Sequence, residues 1–309
     1  MTASDLTSSS LRLDGRVALV TGAGAGLGRS HALALAARGA KVVVNDLGAA
    51  RDGSATGATP ADEVVAAIRA AGGEALANRA SVTDAVAVQA LVDEVMATWG
   101  RIDIVVNNAG ILRDKSFSKM SLDDFRTVLD VHLMGSVIVT KAVWDLMKAQ
   151  QHGRIVFTTS SSGLFGNFGQ ANYGAAKMAL VGLMQTLALE GEKYNVRVNC
   201  LAPTAATRMT EDLMPPEMLA LLTPESVSPA VVFLASDAAP TRAIINAGAG
   251  AFATSHVTLS EGLFLGQGGG VPEQIAERWA DLVDRADDTE PPSGMAQSQR
   301  EITRALQRG

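Results

Sequence analysis

Three side chains in this sequence have the types and spacing of a proton-transfer set. Tyr173 and Lys177 lie four apart at the start of a helical pattern, so both side chains fall on one helix face. Thirteen residues before Tyr173, an apolar run at 154–159 ends at Ser160. A phenol ionises near pH 10, and a useful base near neutrality needs a drop of about 3 units, roughly 4 kcal/mol. A neighbouring ammonium and a positively charged ring on a bound ligand have the sign to supply it. A strand-end hydroxyl at Ser160 could hold a substrate oxygen beside Tyr173. A lone YxxxK is a common accident on helix surfaces, so its weight depends on what stands around it.

A second motif supplies that context. The run 17–20 leads into Thr21-Gly22-Ala23-Gly24-Ala25-Gly26-Leu27-Gly28-Arg29 and then a helical pattern. Glycines at 22, 26 and 28 let the chain turn tightly, let a pyrophosphate approach the backbone, and let the helix pack on a sheet, with the helix N-terminus facing the phosphates. The spacing is GxxxGxG and does not satisfy GxGxxG, because Leu27 stands where that pattern needs a small residue. Eighteen residues past Gly28, a second strand pattern ends at Asn45-Asp46. A carboxylate there can accept from both adenosine ribose hydroxyls and would repel the extra phosphate of NADP, which favours NAD.

The elements that must position these groups are legible as an alternation. Short apolar runs at 17–20, 42–44, 104–106, 155–157 and 196–201 read as strands. Between them, 27–38, 61–71, 84–99, 122–149 and 172–193 carry Ala, Leu, Val and Met at helical spacing. Such alternation implies parallel strands joined by right-handed crossovers, a doubly wound α/β sheet of the Rossmann type. The segment 47–59 reads as a long loop, and 202–229, with five prolines and the apolar pairs Leu213-Met214 and Leu221-Leu222, as a substrate cover. The expected organisation is a flexible leader at 1–12, one catalytic domain at 13–270 and a helical tail at 271–309, with an amphipathic helix at 272–287 and a final charged helix.

Composition excludes several other classes. With 47% hydrophobic and 19% charged residues the chain has material for a core. A net charge of -6 without a basic run argues against nucleic acid. The single Cys200 rules out an intrachain disulfide, and His31, His132, His152 and His256 are scattered, so no metal site is expected. The uncharged stretches 155–176 and 243–260 are broken by Gly, Ser, Thr and Asn, unlike a bilayer span. No signal peptide is evident at the start, and the expected location is cytoplasmic. A serine hydrolase lacks its GxSxG elbow, SxxK at 116–119 matches by letter only, and no GxxxxGK[ST] loop exists. A non-catalytic dinucleotide sensor would not need Ser160, Tyr173 and Lys177 together.

In motif order and spacing, Thr21 to Gly28, Asn107-Asn108-Ala109-Gly110, Ser160 and Tyr173-Gly174-Ala175-Ala176-Lys177 resemble the short-chain dehydrogenase/reductase family across about 13–266. Within it, Asn45 to Gly48, the stretch 107–117, Gly166 to Tyr173 and Arg208-Met209-Thr210 are similar to the (3R)-hydroxyacyl-CoA dehydrogenase domains of peroxisomal multifunctional enzymes, also known as 17β-hydroxysteroid dehydrogenases. The hydratase and sterol-carrier domains of those enzymes are not in this sequence, so it resembles a stand-alone bacterial-type relative.

The resemblance implies an oxidoreductase acting on a secondary alcohol or ketone. Tyr173 would be the general acid/base, Lys177 would lower its pKa and hold the nicotinamide ribose, and Ser160 would hold the substrate oxygen. Asp46 would bind the adenosine ribose, Ser81 and Val82 flank the adenine, Asn108 lie along the cofactor, and Ala205, Ala206, Thr207 and Arg208 meet the nicotinamide end. Three positions depart from the family pattern. His132 replaces the usual relay Asn and either substitutes for it or packs the helix, Ser81 replaces an adenine-site Asp, and Asn246 to Gly250 replaces Val-Asp-Gly-Gly. Leu164, Phe165, Phe168, Met209, Leu213 and Met214 suggest a roomy apolar pocket, each able to contribute about 1.5 to 3 kcal/mol when buried against a ligand. An acyl-CoA or steroid body would suit it, and Arg113 and Lys115 either meet a CoA phosphate or stay solvated. The runner-up is a 3-oxoacyl-carrier-protein reductase, which ordinarily prefers NADPH. The resemblance also implies a homo-oligomer, dimer or tetramer.

Overall fold

The computed structural model describes residues 11–48, 60–205 and 216–308. The chain up to Thr254 forms one compact unit and the chain from Ser255 a second. In the first, seven parallel strands alternate with helices. In chain order these are β1 (Val17–Thr21), α1 (Gly26–Ala37), β2 (Lys41–Asn45), α2 (Pro60–Ala70), β3 (Ala75–Asn78), α3 (Ala85–Trp99), β4 (Ile104–Asn107), α4 (Leu122–Leu129), α5 (Gly135–Gln150), β5 (Gly153–Thr158), α6 (Ser161–Phe165), α7 (Ala171–Gly191), β6 (Val196–Thr204), α8 (Pro216–Leu219), α9 (Ser228–Ala235) and β7 (Ile244–Gly248). An eighth strand, β8 (Ala251–Ser255), follows, and the sheet order is β3-β2-β1-β4-β5-β6-β7-β8. The doubly wound α/β fold expected from the alternation is the observed one.

Both sheet faces are covered, which is why the strands read as unbroken apolar runs. Side chains alternate between two cores. Ala18 and Val20 of β1 pack with Leu35, Val64, Ile68 and Val231 on the face of α1, α2 and α9. Val17 and Leu19 pack with Val92, Val143, Met184 and Phe157 on the face of α3, α5 and α7.

Several elements differ from the sequence expectation. β3 was not anticipated because Ala-Leu-Ala-Asn has no β-branched residue, yet parallel pairing to β2 fixes it as a strand. β7 and β8 are rich in Gly, Ala and Asn, and the turn between them places Ala249 (φ 51) and Gly250 (φ 77) in the left-handed region that tight hairpins need. The single helix expected at 122–149 is interrupted by a π turn at Asp130–Met134, which admits one extra residue where His132 turns inward. Taken as one run, Leu122–Gln150 is long and apolar enough to cross a bilayer, but Val128, Val139, Val143 and Met147 are buried in the protein.

In the second unit the helix expected at 272–287 is two shorter pieces, α10 (Val271–Glu277) and α11 (Trp279–Leu282). The chain leaves helical geometry at Arg278 (φ -106, ψ 22), whose guanidinium pairs with Asp281. The last helix, α12 (Gly294–Arg308), stands as expected. Within this unit Leu259 and Thr289 exchange backbone hydrogen bonds, and Arg300 and Arg304 bind Ser260 and Glu261.

Candidate active site

The predicted cofactor residues that are described stand at the carboxyl ends of adjacent strands. Gly22–Gly28 follow β1, Asp46 follows β2, Ser81 and Val82 follow β3, Asn108 follows β4, Ser160 follows β5 and Ala205 follows β6. The order reverses between β1 and β4, and the crevice at such a switch point is where open α/β sheets take dinucleotides. Thr21 and Asn108 fasten the two lips of that crevice. The Thr21 hydroxyl accepts from the backbone N–H of Asn108 (3.0 Å) and Ala109 (3.1 Å), while the Asn108 amide donates to the carbonyls of Thr21 (3.0 Å) and Gly22 (3.1 Å).

The glycine turn fits a ligand that needs close backbone approach. Gly22 (φ 62) and Gly26 (φ 52) lie in the left-handed region. A Cβ on Gly28 would stand 2.1 Å from the Gly22 carbonyl oxygen, so any side chain there would push the turn and helix apart. Leu27 resolves the motif's irregularity, because its side chain packs on the core beneath α1 and leaves the turn clear. The Asp46 carboxylate accepts from the backbone N–H of Gly24 and Gly48, each at 2.8 Å, which fixes it beside the turn. Ser81 bonds the Thr83 hydroxyl (2.8 Å), and Val82 packs against Gly135 and the core. Ala205 is buried, whereas Ala206, Thr207, Arg208, Met209, Leu213 and Met214 lie outside the described residues, as does Arg51.

The structure brings Ser160, Tyr173 and Lys177 together. Ser160 follows β5 and caps α6, its hydroxyl accepting the Ser162 N–H (3.2 Å), and it stands near enough to the Tyr173 hydroxyl to act on its ionisation. Tyr173 lies on the first turn of α7 against Ile111, Val128 and Ala176. One turn on, the Lys177 ammonium stands 5.5 Å from the Tyr173 ring centre and donates to the Thr158 carbonyl (2.5 Å). Thr159 hydroxyl to Lys177 carbonyl (2.6 Å) pins the same turn of α7 to the end of β5. Thr21, Thr158, Thr159 and Asn172 are site residues that the sequence did not single out, since their roles are backbone and scaffold contacts made across long stretches of chain.

In the protein alone the Tyr173 pKa is raised. Burial dominates, the Ser160 hydroxyl opposes it, and the Asp114 carboxylate adds to it. Lys177 is fully enclosed, and burial pushes its own pKa down to about 7. Tyr173 is therefore held as a proton donor, and the downward pull must come from a positive charge brought with the ligand.

His132 is buried on the π turn, its ring edge-on to that of Tyr173 (centres 5.2 Å apart, planes at 87°). Its Nε2 lies 3.1 Å from the Ile111 nitrogen and 2.8 Å from the Ile111 oxygen, and a Cβ on Gly110 would strike the ring. Burial and the Lys177 charge drive its pKa well below the ordinary histidine range, so the ring is neutral. These are the contacts of a residue that packs behind the phenol. Its carbonyl accepts from the Ser136 hydroxyl at 2.6 Å. Arg113 and Lys115 both pair with Asp124.

A family model described as short chain dehydrogenase matches residues 16–217. A short-chain type dehydrogenase/reductase of Mycobacterium tuberculosis is 50% identical over 270 residues, covering 87% of this chain and 94% of that protein. The peroxisomal multifunctional enzyme type 2 of Mus musculus is 55% identical over 226 residues, 73% of this chain but 30% of that protein. The full-length peroxisomal multifunctional enzyme type 2 of Drosophila melanogaster superposes with a TM-score of 0.79 at 38% identity, over 96% of this chain and 50% of that one. A family model over most of the first unit, a relative half-identical over nearly its whole length and a shared fold thus agree, and the chain belongs to the short-chain dehydrogenase family.

Proposed function

We propose that this protein is an NAD-dependent oxidoreductase interconverting a secondary alcohol and a ketone on a bulky apolar substrate, a 3-hydroxyacyl-CoA or a 17β-hydroxysteroid. The observation that carries the chemistry is the meeting of Ser160, Tyr173 and Lys177 beside the glycine turn. The nicotinamide, when bound, exchanges a hydride with the carbinol carbon. The Ser160 hydroxyl orients the substrate oxygen, Tyr173 gives or takes its proton, and Lys177 supplies a buried donor and charge beside the phenol. Support for the substrate class is the similarity to peroxisomal multifunctional enzymes, together with exposed Phe165 and Phe168 on the segment leading into α7.

The reading is tested by steady-state turnover of (3R)-hydroxyacyl-CoA, a 17β-hydroxysteroid and an acetoacetyl thioester, each with NAD(H) and NADP(H). Turnover of the first or second with NAD is the expected result. NADPH-preferring reduction of the thioester would transfer the assignment to a 3-oxoacyl-carrier-protein reductase.

Cofactor choice is proposed to rest on Asp46. Hydrogen bonds to a charged group contribute about 1.5 to 3 kcal/mol, so Asp46→Asn should raise KM for NAD by roughly 10- to 100-fold. It should also bring KM for NADP closer to that for NAD, because the charge that repels the extra phosphate is gone. An unchanged NAD to NADP ratio would remove Asp46 from the selectivity argument.

A further inference from the structure

One buried polar side chain near the site has no role in the chemistry above. Gln170 is the residue that enters α7, three before Tyr173, and only 8% of it is exposed. Its amide has three side-chain partners. Oε1 accepts from the Ser162 hydroxyl (2.7 Å) and the Asn167 amide (3.1 Å), and Nε2 donates to the Asp114 carboxylate (2.6 Å). Two donors on one side and a carboxylate on the other settle which way the amide points.

The contact joins two walls of the site. Asp114 lies on the loop after β4, Ser162 lies on α6, and Gln170 opens α7. On one side of the amide, Lys115 N–H donates to the Gly169 carbonyl (2.9 Å), and on the other the Asn172 amide donates to the Arg113 carbonyl (3.1 Å). Ser162 passes the constraint on, since its own N–H is bound by the Ser160 hydroxyl oxygen. With that lone pair engaged, the Ser160 hydroxyl hydrogen remains available to a substrate oxygen or to Tyr173.

We propose that Asp114 and Gln170 are a positioning pair that holds Ser160 and Tyr173 in catalytic register. The inference rests on the reading of Ser160 and Tyr173 given above. Among the described residues, His132 from the π turn and Lys177 from its own helix stand against the Tyr173 ring, and Ser160 after β5 and Asp114 from the loop after β4 act on its ionisation. His132 is neutral. Asp114 is therefore the negative charge among them, and it disfavours the phenolate. Arg113 and Lys115, beside it in sequence, both pair with Asp124.

Exchanging the two groups tests the pair. Gln170→Glu sets two carboxylates against each other at hydrogen-bond distance, and kcat should fall about 100-fold while the Kd for NAD, read by fluorescence, stays within about twofold. Adding Asp114→Asn restores a donor facing an acceptor, so the double variant should recover to within about fivefold of the parent. Asp114→Asn alone keeps an acceptor for Gln170, and should shift the pH midpoint of kcat downward. A second measurement needs no substrate. The chain has two tyrosines, so in a Tyr194→Phe background the 13C signal of labelled tyrosine reports Tyr173 alone, and Asp114→Asn should lower its titration midpoint by about half a unit. A double variant no better than Gln170→Glu, or a Tyr173 midpoint that does not move, overturns the proposal. If all the substrates tested are inert but the midpoint moves, the fault lies with the substrate assignment and the pair stands.

Discussion

Tyr173→Phe is expected to lower kcat about a thousandfold while leaving NAD affinity and thermal stability almost unchanged. General acid/base groups contribute about 10²- to 10⁴-fold, and among the described residues the proton donor has no understudy. Lys177 is engaged by the Thr158 carbonyl, and His132 is neutral with its Nε2 against Ile111. The Ser160 hydroxyl has too high an intrinsic pKa to replace the phenol as a base. The ring itself survives the substitution, so packing against Ile111, Val128, Ala176 and the edge of His132 is retained. Single-turnover reduction or oxidation of the active substrate, with unfolding temperature measured alongside, checks both halves. A variant that kept more than a tenth of the parent kcat would show that the proton leaves by another route.

Much of the architecture was legible because parallel strands buried on both faces leave apolar, β-branched runs. Val42–Val43–Val44 and Ile104–Val105–Val106 can be little else. β3 and the β7–β8 hairpin were not legible, because small and polar residues there are made strands by their neighbours and by the positive φ of Ala249 and Gly250. The π turn at Asp130–Met134 left no trace in the helical periodicity of 122–149, since an inserted residue shifts the phase by only about 100°.

The site divides the same way. Ser160, Tyr173, Lys177 and Asp46 could be named from type and spacing and Asn108 from the family resemblance; Ser160, Asp46 and Asn108 follow strand ends, and Tyr173 and Lys177 lie on the first turns of α7. Gln170 and Asp114 could not, because their pairing joins positions 56 apart and exists only in three dimensions. Spacing likewise reveals that a lysine is near Tyr173, but how strongly burial opposes its charge depends on walls built by Ile111, Val128 and Ala176.

The largest effect on stability should come from acid, through histidines distant from one another. His31 is fully buried on α1, with Nδ1 2.9 Å from the Ser228 hydroxyl, and burial pushes its pKa down to about 3. His152, at the opposite end of the sheet, is pushed down to about 4 by burial and then by Arg154 and Arg16. His132 lies well below the ordinary value for the reasons given above. The sign follows from linkage. Above about pH 7.5 all three are neutral in both states and their full contribution is present. As pH falls toward 4, the unfolded chain takes up protons that the native chain refuses, so stability is lost. His31 and His152 each add a slope of up to about 1.4 kcal/mol per pH unit, and by pH 5 each has lost about 2 kcal/mol. His132 acts with the same sign, and the two losses alone are a large share of the roughly 5 to 15 kcal/mol that holds a typical domain together. The unfolding temperature should therefore be level from pH 8 to 7 and drop steeply between about pH 6 and 4.5. His152→Gln, which keeps a polar side chain at the edge of the buried cluster but cannot titrate, should make that drop shallower by about one proton's worth. An unfolding temperature that stays level down to pH 4.5 would mean that the native chain admits protons to these rings, through water reaching the unpaired nitrogens of His31, His132 and His152.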